Sequence, residues 1–108
     1  MNWNIVAEYI KEDGIFSPDV TIRNCDSSIF VEEDSFYLSI FAPTGGYIVV
    51  YAGYKKDGKR TSVCNTYPMT EDPYLVVSYL RDDLDDMIQR LDKRLEKVWG
   101  FPNFTNSN

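Results

Sequence analysis

The 108-residue sequence contains no histidine. Its absence removes the usual general base, the Ser-His and Cys-His nucleophile pairs, haem ligation through imidazole and histidine-containing zinc sites. Cysteine is scarce as well. Cys25 and Cys64 are the only two and form no C-x-x-C pair, so the expectation is two reduced thiols in strands, behaving as small buried hydrophobes. No apolar run approaches the length of a bilayer span. Met1-Asn2-Trp3-Asn4 lacks the basic-then-apolar pattern of an export signal, so the expected location is cytoplasmic, with no membrane association. Gly45-Gly46 is followed by neither Gly-Lys-Ser nor Gly-Lys-Thr, and no D-x-D-x-D-G loop is present. Phosphate-loop and calcium-loop readings therefore fail. The chain is expected to be no enzyme, with no catalytic residue, no metal and no cofactor.

What is present is apolar and aromatic. Hydrophobic residues make up 44% and charged residues 26%, enough for a packed core. Eight Tyr, six Phe and two Trp bring the aromatic share to 15%, a surplus that suits half-buried sheet faces and binding surfaces alike. Seventeen carboxylates against eleven basic side chains leave a net charge of −6. Such a field repels nucleic acid and attracts basic partners. Direct nucleic-acid binding is not expected.

The hydrophobic pattern changes period twice along the chain. Trp3, Val6, Ala7 and Ile10 step at helical spacing and Gly14 ends them, which predicts a helix over 2–13. From Val20 to Thr66 the pattern is a meander of short strands, the best being Ser35 to Ala42 and Tyr47 to Tyr54. Asp57-Gly58 predicts a hairpin tip, with 50–56 pairing back on 59–65. Carrying that register outward assigns Phe36, Leu38, Ile40, Tyr47, Val49, Tyr51 and Cys64 to one face, and Tyr37, Phe41, Ile48, Val50, Ala52, Tyr54 and Val63 to the other. Neither face is polar, which requires cover on both sides or an exposed apolar surface. In the last third, Asp72-Pro73 reads as N-cap and first helical residue. Leu80, Leu84, Met87, Leu91, Leu95 and Val98 form one stripe, with Gly100 as C-cap, Pro102 as stop and a break near Arg81-Asp82 as the alternative to a single helix. The expected fold is α+β: an antiparallel β-meander of four or five strands packed by an N-terminal helix and a long C-terminal helix. One domain over 1–102 and a polar tail over 103–108 complete the layout.

Two groups of residues are candidates for contact with a partner. Asp82, Asp83, Asp85 and Asp86 crowd one helical turn, and Glu32, Glu33 and Asp34 crowd a meander turn. Charge runs are commonly just solvated surface. Asp82 and Asp86, however, stand four residues apart and repel each other, as an electronegative docking surface would require. The second group is Tyr37, Tyr47, Tyr51 and Tyr54, either cross-strand pairs that stabilise the sheet or anchors for another protein. Lys55, Lys56, Lys59 and Arg60 surround the hairpin tip, where they either keep the turn soluble and blunt edge pairing or make the tip a contact for phosphate or an acidic partner.

A helix, a meander and a long amphipathic helix in about a hundred acidic residues resemble the small bacterial immunity proteins of polymorphic toxin systems. In size and charge the chain is also similar to phage-encoded inhibitors of host defence. That resemblance implies stoichiometric inhibition, in which an acidic surface covers the basic site of a toxin or nuclease. A structural or regulatory homodimer joined through its apolar sheet face is the competing expectation.

Overall fold

A computed structural model describes residues 1–25, 27–43 and 46–99; for Cys25, Lys56 and residues 96–99 the description is of the backbone alone. The expected tail over 103–108, the Gly100 cap and Pro102 lie outside the described residues, as do Asp26 and Gly45.

The chain runs α1 (Trp3–Asp13), β1 (Thr21–Cys25), β2 (Ser28–Glu33), β3 (Phe36–Phe41), β4 (Tyr47–Lys56), β5 (Lys59–Pro68) and α2 (Pro73–Trp99). This is an α+β architecture. The five strands pair antiparallel in the order β1-β2-β3-β4-β5, a pure meander. Asn2 caps α1 by accepting from the backbone N–H groups of Asn4 and Ile5, and Gly14 ends it in the left-handed conformation. Asp72 caps α2 through the N–H of Tyr74 at 2.9 Å. The helix then continues unbroken for 27 residues, so no break occurs at Arg81-Asp82. Asp57 and Gly58 both have positive φ, 54° and 78°, and Lys56 pairs with Lys59 across the predicted turn. Glu32 and Glu33, expected in a turn, belong to β2. The turn is Asp34-Ser35, with Asp34 at φ 54°.

The register corrects one expectation. Phe36 faces Tyr54, Leu38 faces Ala52 and Ile40 faces Val50, so β3 presents Phe36, Leu38 and Ile40 on the face of Ile48, Val50 and Ala52. The sequence reading had these on opposite faces. Its hairpin signal set β4 against β5 correctly but carried no information across the longer connection between β3 and β4. A one-residue error there flips a whole strand.

With the register in place, the layers separate. Ile29, Val31, Leu38, Ile40, Ile48, Val50 and Ala52 form one buried sheet face; Trp3, Val6 and Ile10 of α1 and Val76, Val77, Leu80, Leu84 and Met87 of α2 close over it. A second cluster, Tyr54 with Leu91 and Leu95, extends the core under the C-terminal half of α2. Each fully buried aliphatic side chain contributes about 1.5–3 kcal/mol of transfer free energy. Both helices lie on one side, leaving the other sheet face without a covering element among the described residues.

Cys25 and Cys64 sit on β1 and β5, the two edges of the sheet. Four strand spacings separate them by about 19 Å, far beyond the reach of a disulfide. Cys64 is exposed, not buried as expected, because it points to the uncovered face beside Tyr51.

Candidate functional site

Strand alternation decides which side chains reach the uncovered face. They are Arg23, Phe30, Glu32, Tyr37, Phe41, Tyr47, Val49, Tyr51, Lys55, Arg60 and Cys64, interleaved with Thr and Ser. Tyr47 and Tyr51 are 40% and 38% exposed, whereas Val49 keeps only 6%. Phe41 stacks on Tyr51 with centroids 5.8 Å apart. A second stack, Phe30 on Tyr37 at 6.0 Å, lies nearer the hairpin tips. Guanidinium groups flank it on both sides. Arg23 lies 4.8 Å from the Phe30 centroid and Arg60 5.8 Å from that of Tyr37. Gly53 makes the arrangement possible, since a Cβ there would stand 2.5 Å from the Tyr37 Cζ and hydroxyl oxygen. The result is an Arg23–Phe30–Tyr37–Arg60 ladder reaching from one edge strand to the other, passing over Gly53.

Charge on this face runs against the chain's average. Its strand positions hold three cations, Arg23, Lys55 and Arg60, and one carboxylate, Glu32, which takes the Arg23 guanidinium at 2.7 Å. The ladder borders a groove of about 380 Å³.

The acidic candidates of α2 lie elsewhere. Asp82, Asp85 and Asp86 are exposed on α2, in the layer behind the sheet from the tyrosines. Two of the four aspartates in the run are occupied. Asp83 accepts the Tyr67 hydroxyl at 2.8 Å, and Asp86 accepts Arg90 Nε at 3.1 Å. Arg90 reaches on to Asn65 Oδ1 at 2.6 Å, and Asn65 Nδ2 donates to the Tyr67 hydroxyl at 3.2 Å. This polar network, with Tyr67 stacked on Tyr79 at 4.5 Å, joins α2 to β5. Burial pushes the Tyr67 phenol up to about 12; the Asn65 hydrogen bond opposes this and the bonded Asp83 carboxylate adds to it. Glu33 accepts the Ser17 N–H at 3.2 Å and Asp34 sits in its turn, and Glu32, Glu33 and Asp34 together line a second groove with Ser17, Asp19 and Thr21.

Tyr54 is withdrawn from the contact set, because it is 8% exposed and packs beneath α2 against Leu91 and Leu95. Burial, then the nearby Asp92 carboxylate, pushes its phenol up to about 12. Asp92 itself is 0% exposed and was missed in the sequence. The signal was there: it shares helical spacing with Ile88 and Leu95 on the apolar stripe. No buried side-chain nitrogen or oxygen among the described residues lacks a hydrogen-bond partner.

Among the described residues, no three Cys, Asp or Glu side chains converge as metal ligands would, and no helix is long and apolar enough to cross a membrane. No protein-family model, curated protein or solved structure matches the chain.

Proposed function

We propose that the chain is a protein-binding module that acts by occupancy, as a stoichiometric inhibitor or immunity protein does, with the uncovered sheet face as its contact surface. One observation carries this reading. A five-stranded sheet with both helices on one side presents Phe41, Tyr47, Tyr51 and the Phe30–Tyr37 stack on the other, and aromatic side chains gathered on one exposed face favour protein contact. The net charge of −6 supports a partner that is basic overall, drawn in at long range by the exposed Asp82, Asp85 and Asp86. A phage anti-defence inhibitor would use the same surface in the same way. A homodimer is the competing reading, because a two-fold interface would bury this face just as well.

Double substitution separates the roles. Phe41→Ala/Tyr51→Ala should leave the helical circular dichroism intact and raise the dissociation rate of the captured partner at least tenfold. Asp82→Asn/Asp85→Asn should slow association and flatten its salt dependence without changing the dissociation rate. If the partner dissociates from the Phe41/Tyr51 variant at the wild-type rate, the sheet face is not the contact surface. A wild-type chain that sediments as a dimer, and as a monomer after Phe41→Ala/Tyr51→Ala, would give the face to a second copy instead.

A further inference from the structure

The strand positions of the uncovered face carry more cations than carboxylates, against the sign of the chain as a whole. Lys55 and Arg60 stand directly opposite each other across β4 and β5, on the same face, where like charges destabilise a sheet. The chain has seventeen carboxylates with which to neutralise them. Among the described residues none pairs with either. Glu32 is taken by Arg23. Asp34 and Asp57, which share the groove with Lys55 and Arg60, sit at the tips of their turns and come within ion-pair distance of neither. The Arg60 guanidinium carbon lies over the Tyr37 ring, 5.8 Å from its centroid. A guanidinium carries enough N–H groups to offer a carboxylate two parallel hydrogen bonds.

A guanidinium with no ion-pair partner among the described residues, opposite a lysine and over an aromatic ring, can receive a carboxylate. We propose that the Lys55–Arg60 end of the groove takes one Asp or Glu side chain of a protein partner, bidentate to Arg60, while a neighbouring apolar side chain of that partner packs on Phe41 and Tyr51. The inference rests on the protein-binding reading above and adds the chemistry of the contact. A protein carboxylate fits better than a nucleic-acid backbone. Polyanion binding is driven by many phosphate neutralisations, and here Glu32, Asp34 and Asp57 line the same groove and would repel a phosphate chain crossing it. One carboxylate bound by the two cations meets less of this repulsion than a chain of phosphates does. It is also compatible with a partner that is basic overall, since long-range steering and local pairing are separate contributions.

The test uses the full chain, 15N-labelled, and three probes: a six-residue peptide alternating Glu with Trp and Val, the same peptide with Gln for every Glu, and a ten-residue oligothymidylate. The Glu peptide should shift the Gly53, Tyr37 and Arg60 resonances saturably. It should bind about tenfold more tightly than the Gln peptide, and that preference should vanish in Arg60→Gln, with Lys55→Gln reducing it in part. Equal binding of both peptides on these resonances overturns the carboxylate inference and leaves the protein-binding face standing. Tighter binding of the oligothymidylate overturns it in favour of a polyanion. Absence of a saturable shift with any probe also overturns it, while dissociation from Phe41→Ala/Tyr51→Ala remains the separate test of the face.

Discussion

Replacing Gly53 with alanine should destabilise the protein, although the same change in most strands is favourable. Glycine inside a strand costs about 0.5–1 kcal/mol relative to alanine through its extra unfolded-state freedom, and Gly53 has no left-handed backbone to forbid a side chain. The obstacle is contact. The added Cβ would meet the Tyr37 Cζ and hydroxyl oxygen at 2.5 Å and the Thr61 carbonyl oxygen at 2.7 Å. The tyrosine can swing away at the expense of its place under Arg60 and beside Phe30, but the Thr61 carbonyl is backbone of β5 and moves only with the strand. Overpacking of this kind costs about 1–3 kcal/mol. Net of the glycine effect, the expected loss is centred near roughly 1 kcal/mol within a range of about 0–2.5, a fall of up to about 20 °C in Tm for a domain of this size. Thermal melts of wild type, Gly53→Ala, Tyr37→Ala and the double variant form a cycle. In the Tyr37→Ala background the ring is gone and only the carbonyl contact remains, so the Gly53→Ala cost should shrink without vanishing. A Tm for Gly53→Ala equal to or above wild type, or an identical cost in both backgrounds, would refute the ladder as described.

Two further predictions concern α2 and the buried phenols. Asp83→Ala removes the acceptor of the Tyr67 hydroxyl and should cost about 1–3 kcal/mol by urea denaturation, whereas Asp85→Ala, on the exposed side of the same helix, should stay within about 0.5 kcal/mol. Equal effects would show that the run is uniform solvated surface. Tyr54 and Tyr67 are both raised from 10.0 to about 12, so the folded state keeps protons that the unfolded chain has released. Their contribution is complete below pH 10 and is lost as pH rises towards 12. Tyr67→Phe should therefore flatten the fall in stability across that window and remove part of the tyrosinate absorbance developing near its upper end. An unchanged pH slope would place the Tyr67 phenol in ordinary solvent.

The sequence by itself determined whatever depends on neighbours along the chain. Helix α1 with its Gly14 stop, the Asp72 cap, the Asp57-Gly58 turn and the pairing of β4 with β5 all rest on spacing, capping or turn chemistry within a few residues. So does the α+β class, because the hydrophobic period changes from helical to strand-like and back. What the tertiary structure decided is which side chains share a face. The β3–β4 connection has no two-residue turn to set its register, so parity there depends on how the two strands pack over α1 and α2, and it put Phe36, Leu38 and Ile40 on the face of Ile48, Val50 and Ala52, which the helices cover. The same packing buried Tyr54 and Asp92 and bound Asp83 to Tyr67 across 16 residues. It also drew Arg23 and Arg60, 37 positions apart in the sequence, onto one aromatic ladder. A net charge of −6 is a property of composition; the gathering of Arg23, Lys55 and Arg60 on one sheet face arises only when alternation and register sort the side chains into faces, for neither acts until the strands are paired.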